Sequence, residues 1–169
     1  LAVEAALDKI NIEFKNINGH NTTFLNGRNV EEEIRKMYIS SRVSPVAAIS
    51  AVRRAMVQQQ QQMGAAKGIV MDGRDIGTVV FPDAELKIFL TADPRIRAER
   101  RLDELIAKGE EVELSDIELN LTERDRIDST RTDSPLHQAS DAIRIDNTNL
   151  SKTEQMAVVL ALVHERARV

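Results

Sequence analysis

Ile10, Ile12 and Phe14 alternate with polar residues, the period-two spacing of a half-buried strand. Asn18-Gly19 follows, a dipeptide suited to tight hairpin turns, and Thr22 to Leu25 reads as the returning strand. Asn26-Gly27 marks a second turn, so residues 10–30 are expected to form a small antiparallel element. Ahead of it, residues 2–9 have the spacing of the tail of a helix. After it, a helix is expected over roughly 30–42. Ser44-Pro45 then restarts another, with a capping residue followed by proline at the first helical position. That helix runs to about Met63 and ends before Gly64. Within it, Gln58 to Gln62 are five consecutive glutamines, read as a solvated face.

Beyond Gly64 the pattern changes to short apolar runs followed by helices. Gly68-Ile-Val-Met-Asp72 and Leu86-Lys-Ile-Phe-Leu90 are two such runs, and Ala142-Ile-Arg-Ile-Asp146 is a third with weaker alternation. Each following helix carries a start signal: Asp93-Pro94, then Ser115 with Glu118, then Ser151 with Glu154. Strands alternating with helices imply βαβ crossovers and a parallel sheet. The expected class is α/β: a three-layer parallel-sheet core with a small antiparallel β insertion near the N-terminus.

Composition narrows the picture. The chain has 169 residues, of which 42% are hydrophobic and only 3% aromatic, so its core is aliphatic. That length fits a single domain over 1–169. A net charge of −4 argues against a broad nucleic-acid or anionic-membrane surface. With no cysteine there are no disulfides, thiolate metal sites or Cys nucleophile. The longest apolar runs, such as Met156 to Val163, are too short to span a bilayer. No basic n-region precedes an apolar stretch, so a cytoplasmic location is expected. The chain opens Leu1-Ala2-Val3 without an initiator Met, and a preceding segment is expected to be missing.

In open parallel sheets, ligands bind outside the carboxyl ends of the strands. The first apolar run is followed by Asp72-Gly73-Arg74-Asp75-Ile76-Gly77. There an Arg can fork onto a phosphate and an Asp can accept from an amine; equally, the string is a polar turn with a local ion pair. On the next helix, Arg97, Arg100 and Arg101 lie opposite Ile96, Leu102, Leu105 and Ile106. They form either a solvated face neutralised by Glu99 and Glu104 or an arginine cluster for a polyphosphate. In Glu123-Arg-Asp-Arg-Ile-Asp128, Arg124, Asp128 and Arg131 share one helical face. An Arg124–Asp128 pair would contribute only about 0.3–0.5 kcal/mol, and its Arg-first order is the weaker one, which tilts the reading towards ligand contact. His20, His137 and His164 are scattered, with no metal-ligand spacing. No G-x-x-x-x-G-K-[ST] occurs, and Gly-Lys does not appear once.

The string Asp72-Gly-Arg-Asp-Ile-Gly-Thr-Val-Val-Phe-Pro-Asp83, followed by Leu86 to Leu90 and Arg97-Ala-Glu-Arg-Arg101, resembles bacterial cytidylate kinases. Glu123 to Arg131, Ser134-Pro-Leu136 and Asp146-Asn-Thr-Asn-Leu-Ser151 continue the resemblance in order, and Glu33-Ile34-Arg35, Ser44 and Arg53 extend it upstream. The resemblance implies a P-loop kinase fold whose N-terminal strand, P-loop and helix precede Leu1. It implies a CMP-binding insertion over 10–63, and a lid with flanking helices over 93–131. Ser44, Arg53 and Asp75 would read cytosine, and Arg124 and Asp128 would hold the sugar. Arg74 and Arg131 would grip the acceptor phosphate, while lid residues Arg97, Arg100 and Arg101 close over the donor phosphates. The implied reaction moves the γ-phosphoryl of ATP, with Mg²⁺, to CMP or dCMP; with its P-loop missing, the chain is expected to be inactive. The implied partners are these nucleotides alone, with no nucleic acid or membrane, and a monomer is expected. The alternatives are a non-catalytic pyrimidine-nucleotide-binding module and a scaffold that serves only structure or interaction.

Overall fold

The structure is a computed structural model that describes residues 4–167. At its N-terminal end a 3₁₀ helix spans Glu4–Lys9, tighter than the α-helical tail expected over residues 2–9; residues 2 and 3 of that expectation lie outside the described residues. Three antiparallel strands follow: β1 (Ile12–Ile17), β2 (His20–Leu25) and β3 (Arg28–Asn29). The two Asn-Gly turns form as read. Asn18 and Gly19 take φ of 52° and 85°, and Asn26 and Gly27 take 49° and 79°. Both central residues of a type I′ turn need positive φ, which Asn and Gly supply with least strain. The register pairs Ile12 with Leu25 and Phe14 with Thr23.

Glu31 ties the antiparallel sheet to the segment that follows it. Its carboxylate accepts from the Thr23 backbone N–H (3.0 Å) and hydroxyl (2.7 Å), and from the Arg35 guanidinium. The Thr23 hydroxyl and then Arg35 pull the Glu31 pKa down to about 2. A depressed carboxylate stabilises the fold above its unfolded pKa and loses that contribution as the pH falls through its folded value. Urea midpoints should therefore fall between about pH 4.5 and 2, and Glu31→Gln should flatten this acid limb. An acid limb unchanged by the substitution would refute this role for Glu31.

The helices are α1 (Met37–Ala47), α2 (Ser50–Met63), α3 (Pro94–Ile106), α4 (Leu114–Thr130) and α5 (Lys152–Arg166). The helix expected over 30–42 is instead a 3₁₀ turn at Glu33–Arg35, an extended Lys36, and α1. Ser44-Pro45 does not start a helix but lies inside α1, and the break falls later, at Ala48-Ile49. Near the C-terminal end of α1, proline forfeits one backbone hydrogen bond without preventing the final turn. Ser44 is fully buried and caps nothing. Asp93-Pro94 and Ser151 with Glu154 cap α3 and α5 as expected. Ser115 does not cap α4, which begins one residue earlier after an uncapped Glu113. Leu114 packs against the buried cluster of Ala98, Leu105 and Ile117 that binds α3 to α4. That burial outweighs the roughly 1 kcal/mol of a cap.

Two of the three expected parallel strands form. β4 (Ile88–Thr91) pairs in parallel with β5 (Ile143–Asp146), Ile88 opposite Ile143. Gly68–Asp72 is not a strand. Lys67 and Gly68 take positive φ (57° and 67°), and no ladder partner lies beside the run among the described residues. Ile69 is 45% exposed and Val70 fully so. An apolar run becomes a stable parallel strand only when neighbours satisfy its backbone and cover its faces. The fold is thus mixed α/β with a parallel sheet, and no helix among the described residues is long and apolar enough to cross a membrane.

Candidate functional site

Among the described residues, six buried side chains are apolar and six are polar or charged, and four of the latter are Ser44, Asp75, Asp128 and Arg131. Buried charges need partners, and these form a continuous series. Arg53 Nη2 lies 3.4 Å from Asp75 Oδ1, and Arg131 Nη2 lies 3.9 Å from the same oxygen. Arg131 Nη1 meets Asp128 Oδ1 at 3.2 Å, and Arg74 Nε meets Asp128 Oδ2 at 3.1 Å. Arg74 Nη2 reaches Asp125 Oδ1 at 3.4 Å, while Arg97 donates to both oxygens of Asp125 (2.6 and 3.3 Å). Four guanidiniums alternate with three carboxylates, drawn from α2, the loop after it, α3 and the end of α4.

Local sequence explains how each member is aimed. After Asp75, the segment Ile76–Val80, β-branched but for Gly77, forms one turn of π-helix. The Asp75 carbonyl accepts from the N–H groups of Thr78, Val79 and Val80, which pins its backbone and turns its carboxylate inwards. Single π turns recur at functional positions. Gly64 sits opposite this turn: a Cβ there would lie 2.4 Å from the Phe81 ring, so any side chain would push that ring off α2. Arg131 follows the last residue of α4, where the segment folds back. Its Nε and Nη2 donate to the Ser134 carbonyl (2.8 and 2.6 Å), and Ser134 holds φ of +51°. A serine kept in the left-handed region is strain that the surrounding contacts sustain.

Arg124 stands one turn before Asp128. Its Nη1 donates to Ser40 Oγ on α1 (2.9 Å), and Ser40 donates in turn to Asn120 Oδ1 (3.0 Å). Its same-face neighbour Asp128 is not among its contacts and takes Arg74 and Arg131 instead, in line with the reading against a local Arg124–Asp128 pair. Burial, and next the like charge of Arg74, push the Arg124 guanidinium down from its ordinary value. Burial also pushes Arg131 down, with Asp128 opposing the shift. Counting Arg124 with the series leaves a surplus of two positive charges, suited to a dianion.

Five buried side-chain atoms among the described residues have no hydrogen-bond partner: Ser44 Oγ, Arg53 Nε, Asp75 Oδ2, Arg124 Nε and Asp133 Oδ2. Four belong to residues that the resemblance assigns to a pyrimidine nucleoside. Leaving a buried polar atom unpaired costs about 1–3 kcal/mol, so each of these atoms has an unmet demand for a partner.

A cleft of about 370 Å³ between α1, α3 and α4 adjoins the series through Arg97 and Arg124. Arg35, Arg100 and Arg101 line it too, with Glu104 the one carboxylate. The other expected lid arginines are engaged. Arg100 donates to the Asn147 side chain (3.1 Å) and to the carbonyls of Asn147, Thr148 and Leu150. Arg101 donates to the Arg35 carbonyl and to Glu104. The glutamine run is solvated only in part: Gln58, Gln61 and Gln62 are exposed, yet Gln60 accepts from Arg53 and Gln61 donates to the Val80 carbonyl. Asp125, Ser40, Asn120 and Gln60 support the predicted site residues through these contacts, and the sequence reading gave them no role. Asp125 was within reach of it, since it lies at i−3 from Asp128 on the same helical face.

The family model described as cytidylate kinase matches residues 2–165. A cytidylate kinase of Parabacteroides distasonis is 54% identical over 166 residues, covering 96% of this chain and 72% of its own length. One of Phocaeicola vulgatus is 59% identical over 157 residues, covering 91% of this chain and 68% of the relative. One of Flavobacterium johnsoniae is 54% identical over 170 residues, covering 99% and 74%.

Proposed function

This chain belongs to the cytidylate kinase family, and on that premise we propose that residues 1–169 form the acceptor half of a CMP/dCMP kinase. The observation that carries the reading is the set of orphaned atoms on Ser44, Arg53, Asp75 and Arg124. Cytosine offers an amino donor at N4 and acceptors at N3 and O2. Asp75 Oδ2 accepts from the amine, while Arg53 Nε and Ser44 Oγ donate to the acceptors. Uracil would set its O4 against the same carboxylate oxygen, so discrimination follows from repulsion. Arg124 and Asp128 hold the sugar hydroxyls, and Arg74 and Arg131 meet the phosphate.

The reaction transfers the γ-phosphoryl of ATP to the phosphate of CMP or dCMP. The acceptor is already ionised, so no general base is needed, and catalysis is in-line positioning with charge neutralisation. Arg97 is the lid arginine nearest this work. Arg100 and Arg101 join it on the donor phosphates only after exchanging their present acceptors. Among the described residues no His, Cys, Asp or Glu cluster fits a resident metal, and Mg²⁺ would arrive on the triphosphate. The lid over 93–131, the insertion over 10–63, a monomer and a cytoplasmic setting belong to the same reading.

The 169 residues hold no G-x-x-x-x-G-K-[ST], so a backbone cradle and lysine for the donor phosphates would have to come from residues outside them. β4 is paired on one edge only and Gly68–Asp72 has no ladder partner among the described residues, so both have backbone groups that a further strand could take. This chain alone should therefore bind CMP and show no steady-state turnover with ATP; full kinase activity would overturn that reading. The missing motif also favours the second reading, a non-catalytic pyrimidine-nucleotide-binding module. Thermal unfolding tests the shared claim. CMP at ~100 times its Kd should raise Tm by roughly 5–11 °C, with AMP and UMP at the same concentration giving about half of that or less. Equal shifts with all three would refute a cytosine site.

A further inference from the structure

Asp125 is a carboxylate without a part in the proposed chemistry, since an ionised phosphate needs no base. Beside an anion's seat, a negative charge opposes binding. Its geometry shows what offsets that penalty. The side chain is 32% exposed, and it takes Arg97 of α3 in a bidentate fork and Arg74 of the acceptor loop on one of the same oxygens. Arg74 in turn donates its Nε–H to Asp128, one turn along α4. The inner end of the series is buried: the side chains of Arg131 and Asp128 are 2% and 4% exposed. Arg74, Asp125 and Arg97, the outer end, are each about a third exposed. Between α3 and the acceptor loop, Asp125 is thus the polar link that both sides share.

We propose that Asp125 is a positioning residue that couples acceptor occupancy to the lid helix. A nucleotide phosphate on Arg74 and Arg131 fixes Arg74. Arg74 fixes the Asp125 carboxylate, and the fork on Arg97 carries that order into the first turns of α3. With an acceptor present, the fork already formed on Arg97 is then held more firmly for the donor phosphates. Such coupling is a free energy between two sites and is reciprocal. The inference rests on the function proposed above.

The test is hydrogen exchange on the 169-residue chain with and without saturating CMP, its Kd taken separately by calorimetry. In the unaltered chain, CMP should slow amide exchange over residues 97–102 by ~5-fold or more. Asp125→Asn should bind CMP within about threefold of the unaltered affinity, or tighter because a repulsive charge is gone, while the α3 response disappears. Asp125→Glu should restore the response in part. Arg97→Gln breaks the fork from its other side, and loss of the response there too keeps the result independent of one variant's folding. An α3 response that survives Asp125→Asn overturns the coupling. So does a variant that loses CMP binding, which would make Asp125 part of the site itself. Failure of the unaltered chain to bind CMP would reject the function reading, and this inference with it.

Discussion

Replacing Asp75 by asparagine is expected to reverse the pyrimidine preference, weakening CMP by about 10–100-fold while UMP gains or holds. The Asp75 side chain is 2% exposed, with Oδ1 turned to Arg53 and Arg131 and Oδ2 unpaired. An asparagine would keep its oxygen towards the two guanidiniums, where charge demands an acceptor. Its amide NH₂ then takes the position of Oδ2 and faces the base. That donor opposes the N4 amine of cytosine and matches the O4 of uracil. Calorimetric titration of both nucleotides into both proteins measures the change. A variant that loses CMP tenfold and keeps its full preference over UMP would show that Asp75 does not read the base. Melting both proteins without ligand separates this effect from the stability lost with the charge.

The largest expected loss of stability comes from Arg131→Met, which conserves much of the volume and removes the charge. Arg131 faces Asp128 and Asp75 and gives two hydrogen bonds to the Ser134 carbonyl. Breaking a buried pair from one side leaves carboxylates uncompensated, at about 3–5 kcal/mol. For this chain length that is a fall in Tm of roughly 6–20 °C. Urea denaturation gives the free energy directly. The double variant Arg131→Met/Asp128→Asn should recover part of the loss, since one stranded charge is removed with its partner. A loss under about 1 kcal/mol would mean that the series is screened by water and does not hold the acceptor loop.

How much of this was legible in the sequence divides along the range of the forces. The Asn-Gly turns, the Asp93-Pro94 start and the Ser151–Glu154 box are decided within four residues, and each forms as read. Ser115 and Ser44-Pro45 carry equally good local signals, but distant packing overrides them. Leu114 is drawn onto the α3–α4 cluster, and Ser44 is enclosed within α1. Gly68–Asp72 has the composition of a strand, yet strand formation requires a neighbour that periodicity cannot supply.

The site shows the same division. Arg124, Asp128 and Arg131 were visible as one helical face, and Arg74 and Asp75 as a polar string after an apolar run. Their partners were not. Ser40 reaches Arg124 across 84 residues, and Arg74 reaches Asp128 across 54. Arg100 read as a phosphate ligand, and its four acceptors at 147–150 became apparent only in space.

The central claim is that the orphaned atoms on Ser44, Arg53, Asp75 and Arg124 are the seat of a cytidine nucleotide. Titration of CMP, cytidine and AMP into the unaltered chain, followed by calorimetry, tests it most directly. One CMP should bind per chain. Cytidine should bind more weakly, because Arg74 and Arg131 lose their dianion, and AMP should be at least ~10-fold weaker than CMP. A cooperatively folded chain that takes up no CMP, or that binds AMP as tightly, would contradict the account.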